Sequence, residues 1–416
     1  MNHRTAFKVA ATLGSIVGIS FATTAATAVG AGASEHAVSN GSPSVAVGTG
    51  ESSMADPGGN PGDHFGGSVA TAKGIAVVGA PDVSNQGVVY IYVKTSSGWP
   101  ATPTATLDDP AGTADDEFGY SVAVSGKTIV VGSPGANSFA GAAYVFVKGA
   151  TSWSEIPTQT LEDPASTSGD DFGYSVAMKG SNLVVGSPNY AAEGAAYIYV
   201  DSGTWPASPT KVLNDTVATG TDEFGFSVSI TGKVAFVGAP GTDSFTGAAY
   251  AYVKGTSAWP TTPTVALADP AATADDYFGL SVFVAGKNAV VGAPGTSSLD
   301  GEAYIYTRSA ATGWPASPSV TLPGPSSQTT EFGYAVADSH YAAVIGAYQG
   351  DSDAGRAYVY PKETTGWSTS PSAVIRDPDA TAGDNFGNAV AAYKKVAVVG
   401  ASATNGEAGE AYIFKA

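Results

Sequence analysis

Apolar residues along this chain fall into short runs, long enough for strands and too short for typical helices. The stretch from Ala114 to Lys148 shows the pattern. Tyr120-Ser121-Val122-Ala123-Val124 is a first run, and Ile129-Val130-Val131 is a second, closed by Gly132-Ser133-Pro134. Ala142 to Val147 is a third, rich in aromatic and β-branched residues that suit a pleated surface. A weaker fourth run, Thr158 to Leu161, follows Trp153 and ends at the turn signal Asp163-Pro164. Four such strands make one small antiparallel sheet. Runs two and three are apolar at nearly every position, so the sheet is expected to be covered on both faces.

This unit recurs. Phe-Gly marks it at Phe65, Phe118, Phe172, Phe224, Phe278, Phe332 and Phe386, with spacings of 53, 54, 52, 54, 54 and 54 residues. So regular a period signals a repeat architecture rather than several unrelated domains. Seven four-stranded sheets arranged radially form a seven-bladed β-propeller, an all-β fold that uses residues 51–416 in one ring. Met54-Ala55-Asp56-Pro57 stands 11 residues before Phe65, as Leu267-Ala268-Asp269-Pro270 stands before Phe278. The chain stops after Tyr412-Ile413-Phe414, a third-type strand. The segment around Ser52 to Met54 is therefore expected to supply the last blade's missing fourth strand and close the ring, which removes exposed edges.

Composition changes the picture at the N-terminus. Arg4 and Lys8 precede an apolar, small-residue stretch to Ala33 that offers Ala26-Thr27-Ala28 and Ala31-Gly32-Ala33 as cleavage sites. Residues 1–33 read as a secretory signal peptide, with a single membrane anchor as the alternative, and residues 34–50 as a flexible lead-in. Cysteine is absent, so a secreted chain must rely on core burial and ring closure. Without residues 1–33 the chain carries 16 basic and 36 acidic side chains, a net of −20. Such a surface repels nucleic acid and anionic lipid and leaves cations or neutral ligands as partners.

Phe-Gly, an apolar strand and then Gly-Ala/Ser-Pro recur in five units, as at Gly79-Ala80-Pro81, Gly132-Ser133-Pro134 and Gly238-Ala239-Pro240. Units six and seven depart, with Gly346-Ala347-Tyr348 and Gly400-Ala401-Ser402. The pattern resembles the FG-GAP repeat of integrin α-subunit propellers and bacterial FG-GAP proteins, over roughly residues 52–416. The resemblance implies seven blades. It also implies a calcium loop between first and second strands, but here that connection is Ser125-Gly126-Lys127 or Thr231-Gly232-Lys233. Calcium needs six to eight oxygen ligands, so no metal or other cofactor is expected there.

Other recurring residues admit two readings. An aspartate precedes Phe-Gly by two positions in six units, from Asp63 to Asp384, and another precedes a proline upstream, as at Asp109, Asp163, Asp269 and Asp377. These carboxylates either accept backbone N–H bonds and fix the turn, or hold a cation between the two ends of one loop. One tryptophan lies in each of six links between third and fourth strands: Trp99, Trp153, Trp205, Trp259, Trp314 and Trp367. They serve either as rim packing or as a sugar-stacking platform.

The connections between second and third strands diverge in sequence while the strands repeat. In propellers of the resembled family these connections share a face with those leading into Phe-Gly, and that face carries ligand sites. Divergent loops on a repeated scaffold fit a binding surface. Its candidate anchors are Phe139, Tyr190, Phe245 and Tyr348, with Asp243, Asp300, Asp351 and Asp353 beside them. Catalytic motifs are missing, and His64 and His340 fall in different units, so no enzyme is expected. The reading is a secreted or cell-surface binding or adhesion module, monomeric, with an extracellular protein or glycan as partner. A lectin with sites between blades, a glycan-cleaving enzyme with a paired-acid site, and a structural surface-layer protein are the alternatives.

Overall fold

The computed structural model describes residues 46–47 and 50–415, apart from 216–219, 257, 326–328 and 379–380. The segment read as a signal peptide lies outside the described residues, as does most of the lead-in. Seven antiparallel sheets follow one another in the order expected from the repeat. Blade two is representative, with strands Ser121–Ser125, Thr128–Ser133, Ala142–Val147 and Gln159–Glu162. Its second strand runs through Gly132 and Ser133, which the sequence had suggested as the strand's end. Among the described residues no helix is long and apolar enough to cross a membrane.

Each second and third strand serves two cores. Ile129 and Val131 face blade one and pack with Val77, Ile91 and Phe118. Val130, between them, faces blade three and packs with Phe172, Val185 and Tyr199. Successive side chains point to opposite faces of a sheet, so a blade sandwiched between two neighbours needs apolar residues at every position. The same logic places the tryptophans: Trp153, Trp205, Trp259 and Trp314 are all at most 7% exposed and sit inside the interblade clusters. Packing, not a sugar platform, accounts for them. The Lys148 ammonium covers Trp153 at 4.3 Å from the ring centroid.

The Phe-Gly and Gly-Ala/Ser-Pro signatures form the joint between blades. The backbone of Gly173 in blade three lies so close to Gly132 in blade two that a Cβ on Gly132 would stand 2.0 Å from the Gly173 carbonyl oxygen. Gly173 itself has φ +92°, which disfavours any side chain. Ser121 Oγ then donates to that carbonyl at 2.8 Å. The serine bond repeats from blades one, three, four and five, at 2.7 to 2.8 Å. Blades six and seven carry Ala335 and Ala389 at that position, so they lack the bond.

Closure follows the expected route. Gly50–Ala55 pairs antiparallel with Glu410–Lys415, setting Ser52 opposite Ile413 and Met54 opposite Ala411. Met54 is fully buried. Across the seam Phe65 N–H donates to Ala408 O at 3.0 Å, as Phe172 N–H does to Ala140 O in an ordinary joint. One detail differs from the sequence reading. Ala46–Val47, within the segment read as flexible, pairs in parallel with Ala373 and Val374 and adds an outer strand to blade six.

Candidate functional site at the loop face

The connections between second and third strands meet the links leading into the next Phe-Gly on one end of the ring. Phe139 O in blade two accepts from Gly169 and Asp171 N–H at 2.9 and 3.1 Å, and Phe245 O in blade four accepts from Tyr277 N–H at 2.8 Å. These seven connections and seven links hold 26 of the chain's 36 acidic residues and one of its 18 basic ones, Arg376. The other end of the ring carries the opposite sign. Its hairpins present Lys73, Lys127, Lys179, Lys233, Lys287 and Lys394, with His340 in the blade-six position. The net charge of the chain conceals this division.

The loops are less divergent than their sequences suggest. Blades two, four and five all form a four-residue helical turn: Ala136–Phe139, Thr242–Phe245 and Thr296–Leu299. Each contains consecutive residues in the left-handed region, such as Asn137, Ser138 and Phe139 at φ 54°, 60° and 65°. In these three blades the backbone is thus a repeated, hydrogen-bonded frame on which the side chains vary, whereas blades one and three make shorter three-residue 3-10 turns at Val83–Asn85 and Tyr190–Ala192.

The expected anchors occupy this frame unequally. Phe139 is 37% exposed. Phe245 is half-buried against Tyr277 of the next joint, with centroids 5.4 Å apart. Tyr190 packs edge-on against Tyr197 at 6.3 Å and joins the core between blades two and three. Asp243 and Asp353 are exposed, whereas Asp300 is half-buried and its carbonyl accepts from Thr330 Oγ1 at 2.8 Å. The Asp351 side chain is outside the described residues. Phe139, Tyr190 and Phe245 stand on successive blades; of the anchors, Tyr348 and Asp353 share a cluster.

That cluster surrounds a residue the sequence did not single out. Gln349 Nε2 donates to Glu331 Oε1 at 2.6 Å and to Tyr348 Oη at 3.0 Å. Burial pushes the Glu331 carboxyl up to about 7; the hydrogen bond from Tyr348 opposes this and the Asp353 charge adds to it. Glu331 occupies the position between Asp/Thr and Phe-Gly, held at φ 49°. Its equivalents pair in the same way with the residue 18 positions on: His64 with Asp82 at 2.7 Å and Asp171 with Asn189 at 2.6 Å. The Asp82 partner raises the His64 imidazole against the effect of its own burial.

Inside this rim the residues that follow Phe-Gly converge on the axis. Tyr120 and Tyr174 have centroids 4.9 Å apart, as do Tyr174 and Phe226, and Tyr334 packs on Tyr348 at 4.4 Å. Burial drives the Tyr174 and Tyr334 phenols far above their ordinary value, and each is raised further by neighbouring tyrosines. These rings stand at one end of a central channel lined by first strands, with a volume of 760 Å³ toward the opposite mouth, where Lys73, Lys179, His340 and Lys394 stand. An aromatic floor within a carboxylate rim can stack on and neutralise cationic groups. Among the described residues no three His, Cys, Asp or Glu side chains converge as a metal cluster.

Compared with known families, the chain matches the FG-GAP repeat at residues 49–92, 102–146, 153–199, 212–252, 264–306 and 370–414. Blade six, with its altered Gly346-Ala347-Tyr348 and alanine in place of the joint serine, falls largely between the matches. No curated protein matches the chain.

Proposed function

Because the chain belongs to the FG-GAP repeat family, whose propellers commonly serve extracellular binding, we propose that it is a secreted or cell-surface adhesion module. Its loop face recognises an extracellular protein through lysine- and arginine-bearing segments. The observation that carries this reading is the separation of charge: the connections and links at the end that also bears the aromatic floor hold one basic residue against 26 acidic ones, 11 of the acids being buried. Desolvated cation–π contacts are worth about 2 kcal/mol each, and a carboxylate rim speeds encounter with a positive partner. A glycan partner is less well served, because four of the six tryptophans that would stack on sugars are buried between blades and Trp99 and Trp367 are partly buried there.

Several features support binding over catalysis. Glu331 is the carboxyl of the loop rim pushed closest to neutrality, and its hydrogen-bond partners are Gln349 and Tyr348 rather than a second acid. Backbone hydrogen bonds tie the turns, as from Phe139 N–H to Gly135 O at 2.9 Å, which lowers the ordering cost of association. Affinity capture from extracellular extract, repeated with Phe139→Ala/Phe245→Ala and with Glu331→Gln, tests the reading. Capture of a basic protein that both variants weaken and that salt releases is expected. Capture unaffected by either variant would place the partner elsewhere.

A further inference from the structure

At the hairpin end the axial channel opens among Lys73, Lys179 and Lys394, from blades one, three and seven, with His340 of blade six beside them. Among the described residues these three ammonium groups form no ion pair. Lys394 lies over the Tyr393 ring, 5.7 Å from its centroid. A Cβ on Gly286 would stand 2.7 Å from His340 Cε1, so the imidazole covers the blade-five turn at the rim. Burial lowers this imidazole below its ordinary value, and the Lys179 and Lys362 charges add to the effect, which leaves the ring uncharged at neutral pH.

Inward from the mouth the lining turns apolar, with Val124, Met178, Ile230 and Phe283 among its residues. Its five serine and threonine hydroxyls are engaged by the frame itself. Thr71, Thr231 and Ser339 donate to the carbonyls of Ile75, Val234 and Ala342 at 3.0, 3.2 and 3.3 Å. Ser125 and Ser229 accept from the N–H groups of Gly180 and Val284 at 3.0 and 2.9 Å. The carboxylate of the lining, Asp338, is 2% exposed and accepts from His340 N–H at 2.7 Å and from Asn288 Nδ2 at 3.5 Å, which turns it into the wall. At the far end the Tyr120, Tyr174 and Phe226 rings stand in contact, with 4.9 Å between successive centroids.

A cavity of 760 Å³ thus has apolar walls, an aromatic far end and unmatched positive charge at its mouth. Its volume lies within the roughly 300 to 1,000 Å³ of small-molecule sites, which combine apolar walls with a few placed polar groups. The acidic loop end does not cancel the charge. First strands such as Ser121–Ser125, five residues long, set the two ends roughly 17 Å apart, about two Debye lengths at physiological salt.

We propose that the channel binds a carboxylate amphiphile of the medium-chain fatty-acid class, its alkyl chain along the Val124, Met178 and Phe283 wall and its carboxylate on Lys73, Lys179 and Lys394. A bare anion would leave the apolar wall wet, and a cationic amphiphile would leave the lysines unmatched. Chain and head are therefore selected together.

The test is titration calorimetry of the full chain with laurate, decanoate, dodecyltrimethylammonium and acetate. Laurate is expected to bind at one site per chain, and decanoate roughly tenfold more weakly for the two methylenes lost. The cationic amphiphile and acetate should give no measurable binding. Lys73→Met/Lys179→Met should weaken laurate by roughly tenfold or more. Lys127→Met/Lys287→Met, at the same end of the ring but outside the channel lining, should change it by less than about twofold. Melting temperatures verify that each variant folds. Absence of laurate binding overturns the proposal. So does equal binding of dodecyltrimethylammonium, which would move the alkyl chain to the acidic loop end, or an equal loss in both lysine pairs, which would assign the carboxylate to the general charge of the hairpin end.

Discussion

The two ends of the ring share seven repeats yet differ in what holds and charges them. At the hairpin end most turns are open: a Cβ on Gly126, Gly180 or Gly232 would meet nothing within 4 Å, with Gly286 against His340 the exception, and the lysines there lie on short connections. At the loop end, backbone presses on backbone, as where Gly132 meets Gly173, and buried carboxyls gather. One end therefore tolerates substitution and presents positive charge. The other is tied by backbone contacts, and its variety lies mostly in side chains on an acidic, aromatic surface. A repeat whose loops fold alike can still carry one composite site, because Tyr120, Tyr174 and Tyr334 come from different blades to one axis.

Perturbations at the two ends should differ in size. The largest effect is expected at the ring closure. Deleting residues through Ala55 removes the strand that pairs with Glu410–Lys415 and the buried Met54, and should cost roughly 4 kcal/mol or more and promote aggregation. An unchanged melting temperature would show that the ring does not need this strand. Next comes Gly132→Ala, which drives a methyl into the Gly173 carbonyl and should cost roughly 3 kcal/mol. Its counterpart at the open end, Gly126→Ala, strains only a left-handed turn and should cost about 1 kcal/mol by urea unfolding. Equal losses would erase the contrast.

Acidity separates the ends in number, since at the hairpin end Asp338 is also pushed up to about 6 by burial. Asp116, Asp170 and Asp276 are pushed up to about 6 and Glu331 to about 7, first by burial. Folded values above the ordinary carboxylate value mean that the stability tied to these groups is complete below about pH 4 and is lost as pH rises through about 6 to 7. His64, raised by Asp82, acts in the same direction: its contribution is complete below its ordinary value and is lost as pH rises through the folded value. The melting temperature should therefore fall between pH 5 and 8. A rise over that interval would contradict the assignment. The smallest change is expected from Lys127→Glu, within about 0.5 kcal/mol, yet it should strengthen retention on a cationic resin.

Much of the fold was legible because it rests on periodicity. Phe-Gly spacing gives the blade count, unbroken apolar runs give two-sided burial, and the Met54-Ala55-Asp56-Pro57 offset gives the closing strand. The site was less legible. Phe139, Phe245 and Asp243 stand on the expected face, but Tyr190 belongs partly to a core, and Glu331 was passed over as one more residue before Phe-Gly. Its pairing with Gln349 depends on a left-handed backbone and an 18-residue return through two strands. Tyr120 reads in the sequence as the start of a first strand, since nothing local tells that its side chain meets Tyr174 near the axis.

The central claim is that the loop end is the recognition surface for cationic partners. The most direct measurement is the hydrogen-exchange footprint of an oligo-arginine peptide on the intact protein at moderate salt. The account predicts protection in the turns around Phe139 and Phe245 and in the link containing Glu331, with the lysine hairpins unchanged. Protection spread evenly over the ring, or confined to the hairpin end, would contradict it.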